Sequence, residues 1–401
     1  MEKLKFGFYV FTDLVRSRGT RKNLFFDSEK YFGFKEIMAE ARELGECSYV
    51  SAETINSVDY VLISITSFMD VFNLINELDG LKRTSKIIVG GAGVLNIRPY
   101  KHLIDYAVFR RGEGALFSII SEKLLPNIWS RKNDPEFSAI YHLGETKKFI
   151  GDEISVGCRK KCKFCQYSWT NKFSCKEGNS YQSGFTDQED YFLDFNWEKA
   201  KQHGVSAFDG VTEKTRILIS KPMSNGQIIE KLKEAYEVDH EGRLSLKLYN
   251  IIGYPWEDKT ADVAEIVDNV KKANQNKGRK FILTLHFSHF TPMLMTPFYD
   301  TEFNFFNYKK HLLLKYFYDL GDFNVYIDQY MTSWVYAYQN CIMERASEKD
   351  YKIIKTILLS RKFNSLRNME KGIVLKQNFM KFKNLITNPV GNIVPFYEYR
   401  K

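Results

Sequence analysis

The chain has 401 residues, a formal net charge of +9, 44% hydrophobic residues and 27% charged residues, a composition typical of folded rather than disordered proteins. Its length allows two or three domains. No uninterrupted apolar stretch reaches the roughly 18–20 residues that span a bilayer, so no membrane partner is expected. Six cysteines, three of them clustered, do not make the framework of a secreted disulfide-rich protein, and we expect a reducing, cytoplasmic location.

The positive charge is concentrated near the C-terminal end. From Tyr351 to Lys401 there are eleven Lys and Arg residues and two acids, so the rest of the chain is balanced. A basic face there can meet the phosphates of a nucleic acid or of a phosphorylated small molecule. A lysine-rich helix surface in water explains the same composition, and no known nucleic-acid-binding motif separates the two interpretations.

Residues 1–125 alternate strand-like and helix-like patterns, which predicts an α/β domain of the Rossmann-like, doubly wound type. Its predicted strands are Lys5–Phe11, Tyr60–Ile65, Lys86–Val89 and Tyr106–Phe109, and its predicted helices are Gly33–Leu44 and Val71–Leu78. An open parallel sheet binds ligands at the carboxyl ends of its strands. Ser67 and the turn of Gly90 and Gly91 follow two of these strands, so they are candidate ligand contacts.

Residues 126–150 contain two prolines and are predicted to form a connector. From 151 to 300 the strand and helix patterns alternate again, which predicts a partial (β/α)6 barrel of the TIM type. The loop after its first strand would lie at the top face of the barrel. Residues 301–401 are predicted to form a helical, basic C-terminal region, with helices at Lys309–Leu320, Met331–Arg345 and Asp350–Ser360.

Three cysteines, Cys158, Cys162 and Cys165, stand in a C-x-x-x-C-x-x-C run. Three thiolates on one short loop can hold three corners of a cubane iron–sulfur cluster, which normally takes four cysteines, and the fourth iron then stays open for an external ligand. A zinc site needs a fourth protein ligand, and Cys175 keeps a four-cysteine structural site open as an alternative. The three-then-two spacing and the aromatic residue Phe164 favour the cluster.

This loop resembles the signature of the radical S-adenosylmethionine (radical SAM) family, in which an aromatic residue, here Phe164, precedes the last cysteine. The resemblance implies a [4Fe–4S] cluster on Cys158, Cys162 and Cys165, which are then both metal ligands and catalytic residues. It also implies that S-adenosylmethionine binds the open iron, with Phe164 beside the adenine. One electron, from a donor such as flavodoxin or ferredoxin, would cleave this cofactor into methionine and a 5′-deoxyadenosyl radical.

Two later stretches are similar to motifs of cobalamin-type radical SAM barrels. In the first, the resemblance implies that Asp209 and Glu213 hydrogen-bond the ribose hydroxyls and that Arg216 pairs with the methionine carboxylate. An ion pair between Glu213 and Arg216 along one helix turn is the alternative. In the second, the backbone at Gly253 would pack against the adenine, although Tyr249 stands where a glycine is usual.

The predicted strand that starts at Phe281 ends in polar residues. His286 and Ser288 share one face of it and His289 lies on the other, because side chains alternate along a strand. Either face can look into a barrel. A proton-transfer role for one histidine and a buried structural role are both open.

The order of elements in residues 1–125 resembles the cobalamin-binding domain found in front of many radical SAM barrels. The resemblance rests on the strand end at Ser67, the turn at Gly90 and Gly91, and the Arg111-Gly-Glu-Gly114 segment. It implies that Ser67, Gly90 and Gly91 lie against the corrin and its nucleotide tail. The histidine-ligating pattern D-x-H-x-x-G is missing after Asp13, as it is in relatives that hold cobalamin without a histidine ligand.

Together these resemblances predict a radical SAM enzyme that methylates, or otherwise modifies by radical chemistry, an unidentified substrate with the help of cobalamin. One alternative is a cobalamin-free radical SAM enzyme that modifies a nucleic acid or nucleotide. Its methylthiolating version has three further cysteines in the first domain, where this chain has only Cys47. The second alternative is a non-catalytic iron–sulfur protein that binds nucleic acid.

Overall fold

A computed structural model describes residues 3–9, 11, 32–133, 155–171, 173–175, 188–189, 191–197, 203–237, 244–257, 261–273, 281–301, 325–329 and 333–358. These residues form two compact units. The first unit contains the described residues up to 133 together with 342–358, and the second contains those from 155 to 341.

The first unit is built on one six-stranded sheet. Its strands are β1 (Leu4–Tyr9), β2 (Gly45–Val50), β3 (Tyr60–Ser64), β4 (Lys86–Gly91), β5 (Tyr106–Phe109) and β6 (Ile128–Ser130). They lie in the order β2-β1-β3-β4-β5-β6, and all pairs are parallel except β5 with β6. The order 2-1-3-4-5 is that of flavodoxin-like doubly wound sheets. The α/β prediction is therefore confirmed as a parallel-dominated sheet.

Local sequence patterns explain most of these elements. Strand β3 is buried from Tyr60 to Ile63, as expected for a strand in the middle of a parallel sheet. The helices of this part are α1 (Phe32–Leu44), α2 (Phe68–Leu78) and α3 (Ala115–Ile120). Strand β2 was not predicted, because only Val50 of its six residues is buried and its sequence has no clear alternation.

Strand β6 corrects the predicted boundary at residue 125, because it lies inside the segment interpreted as a connector. Its three residues are buried, and Trp129 is only 1% exposed. The side-chain amide of Asn127 donates to the backbone oxygens of Phe109 and Arg111, both at 2.9 Å, and so holds β6 to the end of β5. Residues 134–150, the rest of the predicted connector, lie outside the described residues.

The second unit contains a five-stranded parallel sheet in the order β13-β12-β11-β10-β9 and an antiparallel pair of β7 with β8. Its strands are β7 (Ser155–Val156), β8 (Ser174–Cys175), β9 (Gln188–Glu189), β10 (His203–Ala207), β11 (Leu244–Ile252), β12 (Phe281–His289) and β13 (Val325–Gln329). Its helices include α4 (Gln166–Thr170), α5 (Glu213–Leu218), α6 (Asn225–Glu237) and α7 (Ala261–Ala273).

The predicted six-stranded barrel is not confirmed. The strand before the cysteine loop is β7, and in the described part of the chain it pairs with β8 rather than with the five-stranded sheet. The sheet also continues past residue 300 with β13, where only helices were predicted. The two residues of β7 are too few to show a wider pairing, and a closed barrel stays a prediction.

The two faces of this sheet differ in chemistry. On one face, Leu246, Leu248 and Phe287 belong to a buried core cluster that also contains residues of α6 and α7. Because side chains alternate along a strand, the intervening residues Tyr249 and His286 lie on the opposite face. The sequence could not choose between the faces, and the structure places His286 on the one away from these two helices.

The C-terminal region contains α8 (Ser333–Arg345) and α9 (Tyr351–Leu358), close to two of the predicted helices. The boundary between the two units falls within α8, and α9 belongs to the first unit. The predicted helix Lys309–Leu320 and most of the basic tail lie outside the described residues. Within the described ranges, no helix is both long enough and apolar enough to cross a membrane.

Candidate active site

The cysteine loop is a tight turn between β7 and α4. Gly157 and Lys161 have φ values of +74° and +51°, in the left-handed region. The indole nitrogen of Trp169 donates to the backbone oxygen of Cys162 at 2.9 Å, and the backbone N–H of Cys165 donates to the same oxygen at 3.0 Å. Helix α4 begins directly after Cys165. The helix and its tryptophan therefore define the path of the loop.

The loop is attached to the segments that follow the carboxyl ends of the parallel strands. The backbone N–H of Lys163 donates to Ile219 O, and the side chain of Gln166 donates to Leu294 O, both at 2.9 Å. Phe164 packs against a cluster formed by Ile219, Tyr254 and Phe290, with Ile251, Trp256 and Phe298 around it. The aromatic residue of the cysteine motif thus lies with the segments after β11 and β12.

The thiols are poorly solvated. Cys162 is 7% exposed, and burial raises the pKa of its thiol to about 12, while the neighbouring Lys221 ammonium counteracts this rise. Burial likewise raises the pKa of Cys165, and the charges of Cys158 and Cys165 each act on Cys162. A buried thiolate needs positive charge nearby, and a metal centre supplies it.

No three His, Cys, Asp or Glu side chains in the described part of the chain are placed to hold a single metal ion. A zinc site requires its ligands to converge on one ion, with sulfur atoms about 2.3 Å away. A cubane cluster instead has a different iron atom for each cysteine, so its ligands stay apart. Cys175 lies opposite Ser155 in the β7–β8 pair, and its sulfur is 4.0 Å from the Arg159 guanidinium. Cys175 therefore lies beside the start of the cysteine loop.

Asp209 lies just beyond the end of β10 in a left-handed conformation with φ +57°, which Asp adopts more readily than most residues. Its carboxylate forms an ion pair with Lys221, whose side chain is only 3% exposed. The hydroxyl of Tyr254 donates to the backbone oxygen of Asp209 at 3.1 Å. These contacts place Asp209 beside the turn that follows β11.

Glu213 and Arg216 stabilise the turns around α5. The Arg216 guanidinium is fully buried and donates to the backbone oxygens of Met223 and Gly210 at 2.7 and 3.1 Å. Burial lowers the pKa of Arg216 to about 10. The Glu213 carboxylate accepts the backbone N–H of Asn225 at 2.8 Å. In this conformation both side chains bind their own chain rather than an exposed ligand.

The turn after β11 brings the backbone close to β12. Gly253 has φ +90°, and a Cβ atom there would lie 2.7 Å from Nε2 of His289. The Glu257 carboxylate accepts the backbone N–H groups of Gly253 and Tyr254 at 2.7 and 3.2 Å. Only glycine fits this position without displacing His289.

Titratable residues of β11 and β12 lie on the sheet face opposite α6 and α7. Tyr249 pairs in register with His286, which pairs with Asp328 on β13. The ring centroids of Tyr249 and His286 are 4.7 Å apart, and the Lys247 ammonium is 5.2 Å from the Tyr249 ring. His286 is 8% exposed. Of these residues, sequence reasoning had considered only His286 for a role in proton transfer.

The first unit holds the other three predicted site residues. The backbone N–H groups of Thr66 and Ser67 donate to the Asp70 carboxylate, which orders the turn before α2. Gly91 has φ +113°, and a Cβ there would lie 2.5 Å from Ile65 O, so the chain itself requires glycine. Gly90 has no such requirement, because the nearest atom to its Cβ position would be 3.8 Å away.

The structure thus gathers the three cysteines, Phe164, Asp209 and Gly253 in the second unit, and it leaves Ser67, Gly90 and Gly91 at the carboxyl edge of the first sheet. Lys221, Tyr254 and Glu257 were not predicted. Each contacts a site residue, and nothing in the sequence distinguishes Lys221 from the other lysines nearby. Tyr254 and Glu257 could have been found from the sequence, because both lie in the stretch around Gly253 that resembles a barrel motif.

No protein-family model matches this chain, and no curated protein matches it significantly. Among solved structures it is similar to TsrM, a radical SAM methyltransferase from Kitasatospora setae with cobalamin and a [4Fe–4S] cluster bound. The identity is 11%, the match covers 72% of this chain and 59% of TsrM, and the TM-score is 0.29.

A second match is OxsB, a cobalamin-dependent S-adenosylmethionine radical enzyme with aqua-cobalamin bound, at 10% identity and a TM-score of 0.30. It covers 95% of this chain and 56% of OxsB. OxsB with aqua-cobalamin and S-adenosylmethionine bound matches at a TM-score of 0.28. The chain spans a little over half the length of these structures, and likeness at this level assigns neither a fold nor an activity.

Proposed function

We propose that the second unit binds a [4Fe–4S] cluster on Cys158, Cys162 and Cys165 and cleaves S-adenosylmethionine reductively. The observation that carries the proposal is the cysteine loop itself. Its three cysteines, which are soft sulfur donors, are separated by three and then two residues, and the loop is attached to segments that follow the carboxyl ends of parallel strands. Thiolates are the ligands that iron–sulfur clusters take. When bound, such a cluster supplies the single electron that divides the cofactor into methionine and a 5′-deoxyadenosyl radical.

The surrounding side chains are suited to hold the organic cofactor. Phe164 and Trp256, which pack around the buried Tyr254, offer apolar surface that can take the adenine and exclude water. The charge of Asp209 acts on Cys162 and Cys165, so its carboxylate is near the loop and can accept a hydrogen bond from the ribose, and Lys221 pairs with it. Gly253 allows a close approach to the backbone. Arg216 is not in this ligand set, because its guanidinium is fully buried and bound to the chain. Glu213 accepts one backbone N–H, which leaves its carboxylate able to accept a further hydrogen bond from the ribose.

We infer that the first unit binds cobalamin at the carboxyl edge of its sheet, against Ser67, Gly90 and Gly91. The flavodoxin-like strand order supports this assignment, because such sheets bind ligands at that edge. The reaction would then be methylation, or a related radical modification, of a substrate not yet identified. The matched structures of TsrM and OxsB both contain cobalamin, but the cysteine loop and not that likeness supports the proposal.

The test is to reconstitute the purified chain anaerobically with iron and sulfide and to count the metal. We expect about four irons per chain in the wild type. Cys162→Ala should lose most of them, because it removes one of three protein ligands. Cys175→Ala is the matched control and should keep them. Zinc in the wild type, or equal loss of iron in both variants, would contradict the cluster.

The same preparation decides on the reaction. With dithionite and S-adenosylmethionine it should release 5′-deoxyadenosine, measured by mass spectrometry. A full cluster without this product would rule out the radical cleavage. Cobalamin binding is tested by supplying cobalamin and recording the absorption spectrum of the protein. A corrin spectrum would support the cobalamin-dependent proposal. Protein that holds four irons but shows no corrin spectrum would support a cobalamin-free enzyme.

A further inference from the structure

A network of polar side chains joins the three helices α5, α6 and α7. Its centre is Asn225, the first residue of α6. The side-chain oxygen of Asn225 accepts from the Arg216 guanidinium on α5 and from the Asn269 amide on α7, the latter at 2.8 Å. Its own amide donates to the Glu265 carboxylate on α7 at 2.8 Å. We call these four residues the Asn225 network.

One end of the Asn225 network holds the turn that contains Asp209. The Arg216 guanidinium donates to the backbone oxygen of Gly210, the next residue, at 3.1 Å. The turn also packs closely on α5, because a Cβ atom at Gly210 would lie 2.9 Å from Cγ2 of Thr215 and 3.1 Å from Cγ of Arg216. Asp209 itself is in the left-handed conformation. The backbone from which the Asp209 carboxylate projects is therefore fixed by Arg216 and its helix.

The other end of the network holds Glu213. The Oε1 atom of Glu265 accepts the backbone N–H of Glu213 at 2.7 Å. In return, Oε2 of Glu213 accepts the backbone N–H of Asn225 at 2.8 Å. The Glu213 carboxylate is thus oriented by one hydrogen bond and keeps the capacity to accept more. Both ends of the network finish at a carboxylate that the proposed function assigns to the ribose.

Stability alone does not explain a charged side chain at this place. The Arg216 guanidinium is fully buried, and burial lowers its pKa while the charges of Glu265 and Glu213 oppose that change. Buried ionic groups often contribute no more stability than apolar residues of the same volume. What directional hydrogen bonds do provide is one fixed arrangement of the groups they join. The Arg216 guanidinium supplies three of them, to Gly210, Met223 and Asn225.

We propose that the Asn225 network positions the carboxylates of Asp209 and Glu213 to accept the ribose hydroxyls of S-adenosylmethionine. This inference rests on the proposed function. Arg216, Asn225 and Glu265 are then positioning residues, because they act on the cofactor only through those two carboxylates.

The test measures how much the ribose hydroxyls contribute to binding. The probes are S-adenosylhomocysteine, which has no sulfonium to cleave, and its 2′,3′-dideoxy analogue, which lacks both hydroxyls. Their Kd values are measured by anaerobic calorimetry on the reconstituted chain. In the wild type the dideoxy analogue should bind about ten-fold or more weakly, since hydrogen bonds to charged groups have effects of that size.

Glu265→Ala removes the acceptor for the Glu213 N–H and for the Asn225 amide. We expect the ratio of the two Kd values to fall to about three-fold or less, because Glu213 is no longer held toward the hydroxyls. Glu265→Gln keeps an acceptor oxygen at the same place and should restore most of the ratio. Asn225→Asp keeps the acceptor for Arg216 but loses the donor to Glu265, so it should lower the ratio independently.

Glu230→Ala is the matched control on α6. Glu230 forms an exposed pair with Lys233 at 2.8 Å and takes no part in the network. This variant should keep the wild-type ratio.

The ratio separates positioning from a general effect on the fold, because a less stable protein would bind both ligands more weakly and leave their ratio unchanged. A wild-type ratio in both Glu265→Ala and Asn225→Asp would therefore overturn the proposal. So would equal losses in Glu265→Gln and Glu265→Ala, since the retained acceptor would then have no effect. If wild-type protein that holds four irons bound neither ligand, the proposed function itself would be contradicted.

Discussion

Backbone strain is concentrated around the candidate site. Six described residues other than glycine have positive φ, and four of them lie beside the cysteine loop or in segments attached to it: Lys161, Asp209, Ser220 and Met295. Such conformations cost of order 1–3 kcal/mol each and persist only where the surroundings impose them. Gly253, at φ +90°, belongs to the same group of turns. The residue-scale observations therefore point to a site whose shape is imposed by tertiary contacts.

Gly253→Ala tests this at one position. The new Cβ would lie 2.7 Å from His289 Nε2 in a backbone conformation that alanine avoids. We expect a loss of about 1–3 kcal/mol in the free energy of unfolding, measured by urea denaturation.

The control for this change is Gly226→Ala on α6. A Cβ there would meet only Ser224 Oγ, at 3.9 Å, and alanine is the better helix former. Its stability should be equal to the wild type or slightly higher. Similar losses in both variants would show that the turn after β11 imposes no special constraint.

At the scale of elements, the turn before α2 links the start of that helix to the strand end predicted to contact cobalamin. The Asp70 carboxylate is 2% exposed and accepts the N–H groups of Thr66 and Ser67 at 2.7 and 3.0 Å and the hydroxyl of Thr66 at 2.6 Å. An acid in the first turn also interacts favourably with the helix dipole. One side chain thus orders both α2 and the strand end predicted to contact cobalamin.

Asp70→Ala should therefore destabilise the first unit. Three donors would lose their acceptor, and loss of a helix-capping side chain costs about 0.5–2 kcal/mol. Faster hydrogen exchange in peptides of β3 and α2, measured by mass spectrometry, would report the effect.

Asp268→Ala on α7 provides the comparison. Asp268 forms an exposed i,i+4 pair with Lys272 at 2.6 Å, and such pairs contribute about 0.3–0.5 kcal/mol. Unchanged exchange in β3 and α2 after Asp70→Ala would mean that the cap is not needed to order this edge.

At the scale of the whole molecule, the chain returns to its first unit near the described C-terminal end. The side-chain amide of Asn96 donates to the backbone oxygens of Met343 and Ala346, both at 2.8 Å, and so satisfies the end of α8. Lys355 on α9 pairs with Asp79 at the end of α2. Sequence reasoning had treated residues 301–401 as one separate region, because contacts across some 250 residues leave no local pattern.

Asn96→Ala tests whether this return stabilises the first unit. Asn96 is buried, and its loss leaves two buried carbonyl oxygens without that donor, at a cost of about 1–3 kcal/mol. We expect faster hydrogen exchange in α8, α9 and the first sheet.

Asn56→Ala is the matched change at an exposed asparagine, whose amide donates to Lys82 O at 3.2 Å and accepts from the N–H and hydroxyl of Thr84 at 2.8 and 3.3 Å. It should have a smaller effect, because water can replace these exposed bonds. If the two variants exchange alike, residues 342–358 do not contribute to the stability of the first unit.

The sequence alone determined the features that are written within a few consecutive residues. The cysteine spacing, the apolar run of β3 and the strand–helix alternation all lie within short windows. They predicted several elements with small errors at their ends, and the candidate ligands stay a prediction. Tertiary structure decided which distant residues meet. It paired β6 and β13 with their sheets, buried Arg216 within its own turns and placed Lys221 on Asp209, because these outcomes depend on burial and charge compensation among residues far apart in the chain.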